Sequence, residues 1–225
     1  NVYLRASHYE YKRDIFSAEK IFVNLRLYPL FKKEVKINSL FVDNAEIFVY
    51  KARNGDTNTD IFKKSQDSIT VKGQTKETPL IFNLDKIVFH DVSVVFADSV
   101  KNKFINLQFL DTQQTFVKED SGYRASVKGD IHFDSLFLNP RSGSYLKDKL
   151  TSVDLNVDIN RLTNKLLIHP SSISYKKNEI ALKGDFELKK RGTFTLVFNA
   201  SNINHDEVKS LLNKKLTRTL SKYNL

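Results

Sequence analysis

The chain has 225 residues, a formal net charge of +10, no Cys, no Met and no Trp, with 17 Phe and 9 Tyr. Absent cysteine excludes disulfides, thiol catalysis and iron–sulfur or zinc-ribbon sites, and no apolar run approaches the ~20 residues of a membrane-spanning helix. The length and the 40% hydrophobic content suffice for one sizeable β core.

Read along the chain, Ile21 to Leu27 is a strand, broken at Tyr28-Pro29 because proline has no N–H for a ladder. Residues 40–49 (LFVDNAEIFV) alternate apolar and polar on both sides of Asp43-Asn44. Asn54-Gly55-Asp56 and Lys72-Gly73-Gln74 read as turns, with a possible helical turn over 58–66. Residues 87–96 (IVFHDVSVVF) alternate like 40–49, around His90-Asp91. Asp120-Ser121-Gly122 is a hairpin turn, and Ala125 to Phe133 alternate again. Residues 134–150 break the alternation and predict a loop with a short helical turn. Strict alternation returns at Val153–Ile159, Ile180–Leu188 and Phe194–Ala200, the last two separated by the turn at Arg191-Gly192.

Period two sends alternate side chains to opposite sheet faces. One set here is apolar and the other mostly polar, as in antiparallel strands with one buried and one wet face. A C-terminal helix is predicted over 204–222, with Asn204 as N-cap, Glu207 at N3, and Val208, Leu211, Leu212, Leu216 and Leu220 at helical spacing. Its basic surface suits either a cap over an open sheet end or a membrane surface.

Residues 40–49 and 87–96 are an internal repeat. The polar pair within each copy reads as a tight hairpin turn, or as a bulge. Either way Leu40, Val42, Ala45, Ile47 and Val49 share a face, as do Ile87, Phe89, Val92, Val94 and Phe96. These ten residues are the candidate lining of an apolar groove, with a dry sandwich core as the bland alternative. Repeated strand pairs with one apolar face build either a closed sandwich or an elongated curved sheet.

Catalytic machinery is not expected. The sequence has no G-x-S-x-G, no P-loop and no H-E-x-x-H, and His8, His90, His132, His169 and His205 never fall at metal-ligand spacing. No catalytic residue, metal or cofactor is therefore assigned. The positive charge attracts anionic partners, but its short lysine blocks read as solvated turns. Basic and aromatic residues do not interleave as a stacking platform for nucleic acid requires, so no nucleic-acid partner is expected.

The stretch 15–50, the turn Asn54-Gly55-Asp56-Thr57-Asn58, the strand pair from Leu84 to Asp98, and 144–200 with its Tyr145-Leu146 loop and Gly184-Asp185 strand resemble the AsmA family in its Bacteroidota-type form. The Gly precedes the acid at 55–56, an altered order relative to the family's turn. The resemblance implies an N-terminal periplasmic portion of an envelope protein similar to TamB and chorein-type lipid-transfer proteins. An inner-membrane anchor would precede Asn1, and a curved sheet would shield acyl chains.

The expected fold is accordingly mainly β: an elongated curved antiparallel sheet of meandering hairpins, a β-groove or open sandwich, in a single domain over 1–225 with the C-terminal helix. The expected function is non-catalytic, in outer-membrane biogenesis and phospholipid transport. The expected partners are phospholipid or another acyl lipid, the membrane through an outside anchor, and envelope proteins. The alternative is a docking β domain that binds protein partners and no lipid.

Overall fold

A computed structural model of the chain describes residues 2–4, 14–26, 35–60, 82–137, 143–144, 146–189, 192–201, 207, 209–210 and 214–221. It contains strands β1 (Val2–Leu4), β2 (Phe16–Arg26), β3 (Val35–Lys51), β4 (Phe82–Leu84), β5 (Lys86–Asp98), β6 (Lys103–Glu119), β7 (Gly122–Phe137), β8 (Lys149–Asn160), β9 (Lys165–Tyr175), β10 (Asn178–Glu187) and β11 (Phe194–Ser201), and helix α1 (Lys214–Ser221). All eleven strands form one open sheet in the order β1-β2-β3-β5-β6-β7-β8-β9-β10-β11, with β4 paired to the start of β3. From β5 onward each strand pairs antiparallel with the next, the expected meander. The β6–β7 turn is Asp120-Ser121, closed by the Glu119–Gly122 pair.

Two expectations need correction. The segments 40–49 and 87–96 are not hairpins. β3 and β5 run straight through them and pair with each other in parallel, from Leu40 with Ile87 to Lys51 with Asp98. Every pair in that ladder lies 47 residues apart, which is the offset of the repeat. Each polar pair is instead a bulge-like phase break, the other of the two readings, matched in both strands so that the register of the ladder does not shift. Asn44 and Asp91 have φ of 48° and 52° and lie between the paired rows Asp43–His90 and Ala45–Val92. Two identical patterns laid parallel put identical faces together, and both phase breaks coincide. Parallel pairing requires a long crossover, which residues 52–85 supply.

The second correction concerns 134–150. Residues 134–137 belong to β7 and 149–150 to β8. Between them Leu146 and Asp148 take positive φ in a turn, and residues 138–142 and 145 lie outside the described residues. The expected helical turn at 58–66 is a 3-10 turn over Asn58–Asp60, its remainder lying outside the described residues. Tyr28-Pro29, Lys72-Gly73-Gln74, Asn204, Val208, Leu211 and Leu212 also lie outside them.

The core has two parts, one on each face. On one face Ala18, Val42, Ala45 and Val92 are buried, and Phe16, Ile21, Leu40, Ile47, Phe89, Val94 and Phe109 pack on them. Phe89 meets Phe109 edge to face at 5.6 Å, the geometry aromatic quadrupoles favour. On the other face Phe48, Tyr50, Ala52 and Val95 form a smaller cluster. Asn58 closes it: its Nδ2 donates to the Phe48 carbonyl at 2.6 Å, and its Oδ1 accepts from the Tyr50 N–H at 2.9 Å. Asn58 is thus more than a turn residue. Its buried amide satisfies main-chain groups that would otherwise be buried without a partner.

Candidate functional site

The ten candidate residues come together as five cross-strand pairs on one face of β3 and β5: Leu40–Ile87, Val42–Phe89, Ala45–Val92, Ile47–Val94 and Val49–Phe96. Val42, Ala45 and Val92 are buried and the other seven are half-buried. The bulges make this possible. An unbroken alternation would send Ala45 and Ile47 to the face opposite Leu40 and Val42. Inserting one residue restores the phase.

The same face continues across the sheet. The registers align Ile21, Val42, Phe89, Thr112, Gly129, Val153, Ile173, Ile180 and Ala200 in a single row through nine strands. Charged side chains are absent from that row. Its one hydroxyl, on Thr112, accepts from Gln114 Nε2 at 2.7 Å. Cover over the face is uneven. Val92 has no exposed surface, whereas Phe194 and Phe198 on β11 are 69% and 62% exposed. Phe194 stacks on Phe186 of β10 at 5.6 Å.

The lining therefore extends beyond the ten. Phe16, Ala18 and Ile21 of β2 and Phe109 of β6 complete the closed part. Phe186, Leu196 and Phe198 carry the open part. A signal for β2 was present: Phe16-Ser17-Ala18-Glu19-Lys20-Ile21 repeats the two-polar-residue interruption of 40–49 and 87–96.

The opposite face carries charge in cross-strand ladders. At the bulge row Lys20 Nζ lies 3.4 Å from Asp43 Oδ2, His90 Nδ1 lies 2.7 Å from Asp43 Oδ1, and His90 Nε2 lies 3.8 Å from Asp111 Oδ1. Farther along, Asp158 receives Arg124 at 3.1 Å and His169 at 2.8 Å. The hydrogen bond from His90 holds the Asp43 carboxyl below the usual carboxylate range, with Lys20 adding to it. The bond to Asp43, followed by the field of Asp111, raises His90. His169 and then Arg124 likewise lower Asp158.

The ladder gives a pH prediction. A raised histidine pKa contributes stability that is complete below the unfolded value, about 6.5, and is lost as pH rises through the folded value. A lowered carboxyl contributes above about 3.9 and is lost as pH falls through its folded value. The Asp43–His90 pair is therefore strongest between those limits. Imidazole NMR titration should place His90 above 6.5, and Asp43→Asn should move it down. A midpoint at or below 6.5 in the unmodified chain would contradict the ladder.

Chemically, the two faces differ in kind. Among the described residues the apolar face offers mainly apolar area; its buried polar side chains Thr112, Gln114, Thr151 and Ser171 bond to one another or to main chain. The charged face pairs its ions across strands, and among the described residues no group of three His, Asp or Glu is placed to hold a metal. No helix among the described residues is long and apolar enough to cross a membrane. An open depression of about 450 Å³ beside β1 and β2 is lined by Tyr3, Ser17, Ala18, Glu19 and Asn44 and includes none of the ten.

Compared with known proteins, the chain matches a family model described as AsmA family over residues 3–223. A comparison with curated proteins finds no match.

Proposed function

Because the chain belongs to the AsmA family over nearly its whole length, we propose that it is a non-catalytic periplasmic β domain that shields lipid acyl chains on its apolar face. In this reading it serves outer-membrane maintenance and phospholipid movement, tethered to the inner membrane by a segment outside this sequence. Family membership carries the envelope association, and the open sheet fits it.

The observation that supports lipid shielding is the graded cover of one continuous apolar face, closed at Val92 and open at Phe194 and Phe198. A strand the length of β11 spans roughly 27 Å, comparable to an extended acyl chain. Burying ten methylenes at about 0.8 kcal/mol each is worth about 8 kcal/mol, equivalent to micromolar affinity. Apolar area and access are sufficient for that, with no polar ligand needed at the acyl chain. The acyl chain would cross the strands inward from β11, and the half-buried candidates Ile47, Val94 and Phe96 would stand at the far inner end of that path, since β5 lies six strands from β11, roughly 29 Å away. Full burial of Val42, Ala45 and Val92 favours a second reading, a docking domain with a closed core, for that part of the sheet.

Native mass spectrometry of the purified chain separates the two. Lipid adducts are expected on the unmodified protein, reduced at least about tenfold by Phe198→Asp, since about 1.4 kcal/mol of lost apolar contact is tenfold. Val94→Asp is expected to reduce them as well. Val197→Asp, on the opposite face of the same strand, should keep them. Apo masses throughout would favour the docking reading, and equal loss in both β11 variants would remove the face assignment.

A further inference from the structure

We propose that the end of the sheet where the β7–β8 turn, the β9–β10 turn and the C-terminal helical segment meet docks onto an anionic bilayer surface. This stands on the placement of charge and is independent of acyl-chain shielding.

Three segments distant in sequence form one patch there. Lys149 at the start of β8 lies over the Tyr175 ring at the end of β9, 5.8 Å from its centroid. Lys176 in the next turn reaches Glu207 at 3.2 Å, and Asn178 also donates to Glu207. The backbone of Gly143 runs beside Lys214 at the start of α1. The patch thus gathers Lys147 and Lys149, Lys176 and Lys177, and Lys214, Lys215 and Arg218. Among the described residues the acids at this end are Asp134, Asp148, Glu179 and Glu207, fewer than the basic residues; Asp134 and Asp148 each lie 3.0 Å from His132, and Glu207 is paired with Lys176. The opposite end of the sheet is balanced. There Arg124 is held by both Glu119 and Asp158, and Arg161 stacks on Tyr123.

A bilayer fits this patch better than nucleic acid. Exposed Leu150 stands next to Lys149, an apolar side chain able to enter the headgroup region. A nucleic-acid platform would instead need uncovered rings, and Tyr175 lies under Lys149 and Lys176. Each basic residue near an anionic leaflet strengthens binding roughly fivefold, so a patch of this size suffices for salt-sensitive attachment.

The test is flotation of the full chain with vesicles of phosphatidylcholine alone or mixed with phosphatidylglycerol. Binding is expected only to the mixed vesicles. It should disappear as salt rises from about 0.01 M to about 1 M, where the screening length falls from roughly 30 to 3 Å. Lys177→Glu combined with Lys214→Glu should weaken it by roughly 25-fold or more. Lys118→Glu combined with Lys165→Glu changes the net charge equally at the opposite end and should leave most binding intact. All four lysines are exposed, and circular dichroism verifies that both variants fold. Phe198→Asp, which removes acyl shielding, should still float. Absence of binding to mixed vesicles, equal binding to pure phosphatidylcholine, equal loss in both double variants, or retention of single-stranded DNA in place of vesicles would each overturn the proposal.

Discussion

Replacing Val92 with Asp is expected to unfold the sheet. Val92 has no exposed surface and sits between Ala45 and Phe109 in adjacent strands. Its neighbours in the cluster are Ala18, Val42 and the rings that pack on them, and none can pair a carboxylate. A lone buried carboxylate costs several kcal/mol or takes up a proton, against a total stability of about 5–15 kcal/mol for most domains. Val92→Ala should cost only about 2 kcal/mol, from lost methyl burial and the void left behind. Phe198→Asp lies on the same face but in its uncovered part, so its unfolding midpoint should stay close to that of the unmodified chain. The chain has no Trp, so urea titration followed by far-ultraviolet circular dichroism is the suitable measurement. A folded Val92→Asp variant of near-normal stability would mean that the closed part of the face is open.

Gly129→Ala should be the next most damaging change, at about 3 kcal/mol or more. Gly129 has φ of +130°, a conformation that side chains resist. A Cβ there would overlap the Asp111 carbonyl oxygen of the neighbouring strand. The position has a structural reason. The β6–β7 register shifts between Phe109 and Asp111, which pair with Ile131 and Asp130, so the row of phase breaks that crosses β3 and β5 ends next to the Thr112–Gly129 pair. Gly55→Ala is the informative comparison. Gly55 also has positive φ, at 95°, but nothing lies within 4 Å of its would-be Cβ. Its cost should be limited to backbone strain, about 1–2 kcal/mol. Equal destabilisation by the two changes would show that conformation alone, rather than close strand approach, governs Gly129.

Some of this was legible in the residues. After residue 121 alternation located β7, β8, β10 and β11 but not β9 (Lys165–Tyr175), whose register breaks, and Asp120-Ser121 was recognisable as a turn because two polar residues between alternating runs suit a two-residue loop. The same logic failed at Asp43-Asn44. Asn44 does adopt the positive φ a turn would use, but one such residue also makes a bulge in a continuous strand, and local sequence does not distinguish the two. The 47-residue spacing held the answer without revealing it, since equal patterns are compatible with parallel neighbours or with separate hairpins. Asn58 was readable as a turn residue. Its role beneath the second cluster depends on Phe48 and Tyr50, whose main-chain groups reach it only after β3 is placed.

Which side chains share a face on β3 and β5 follows from local pattern, because a period of two and a matched pair of phase breaks encode side directly. The tertiary structure alone decided strand direction and cover. Direction depends on where the 52–85 crossover returns the chain. Cover depends on neighbours brought from distant strands, as Phe89 and Phe109 are around Val92 while Phe198 at the sheet edge remains open.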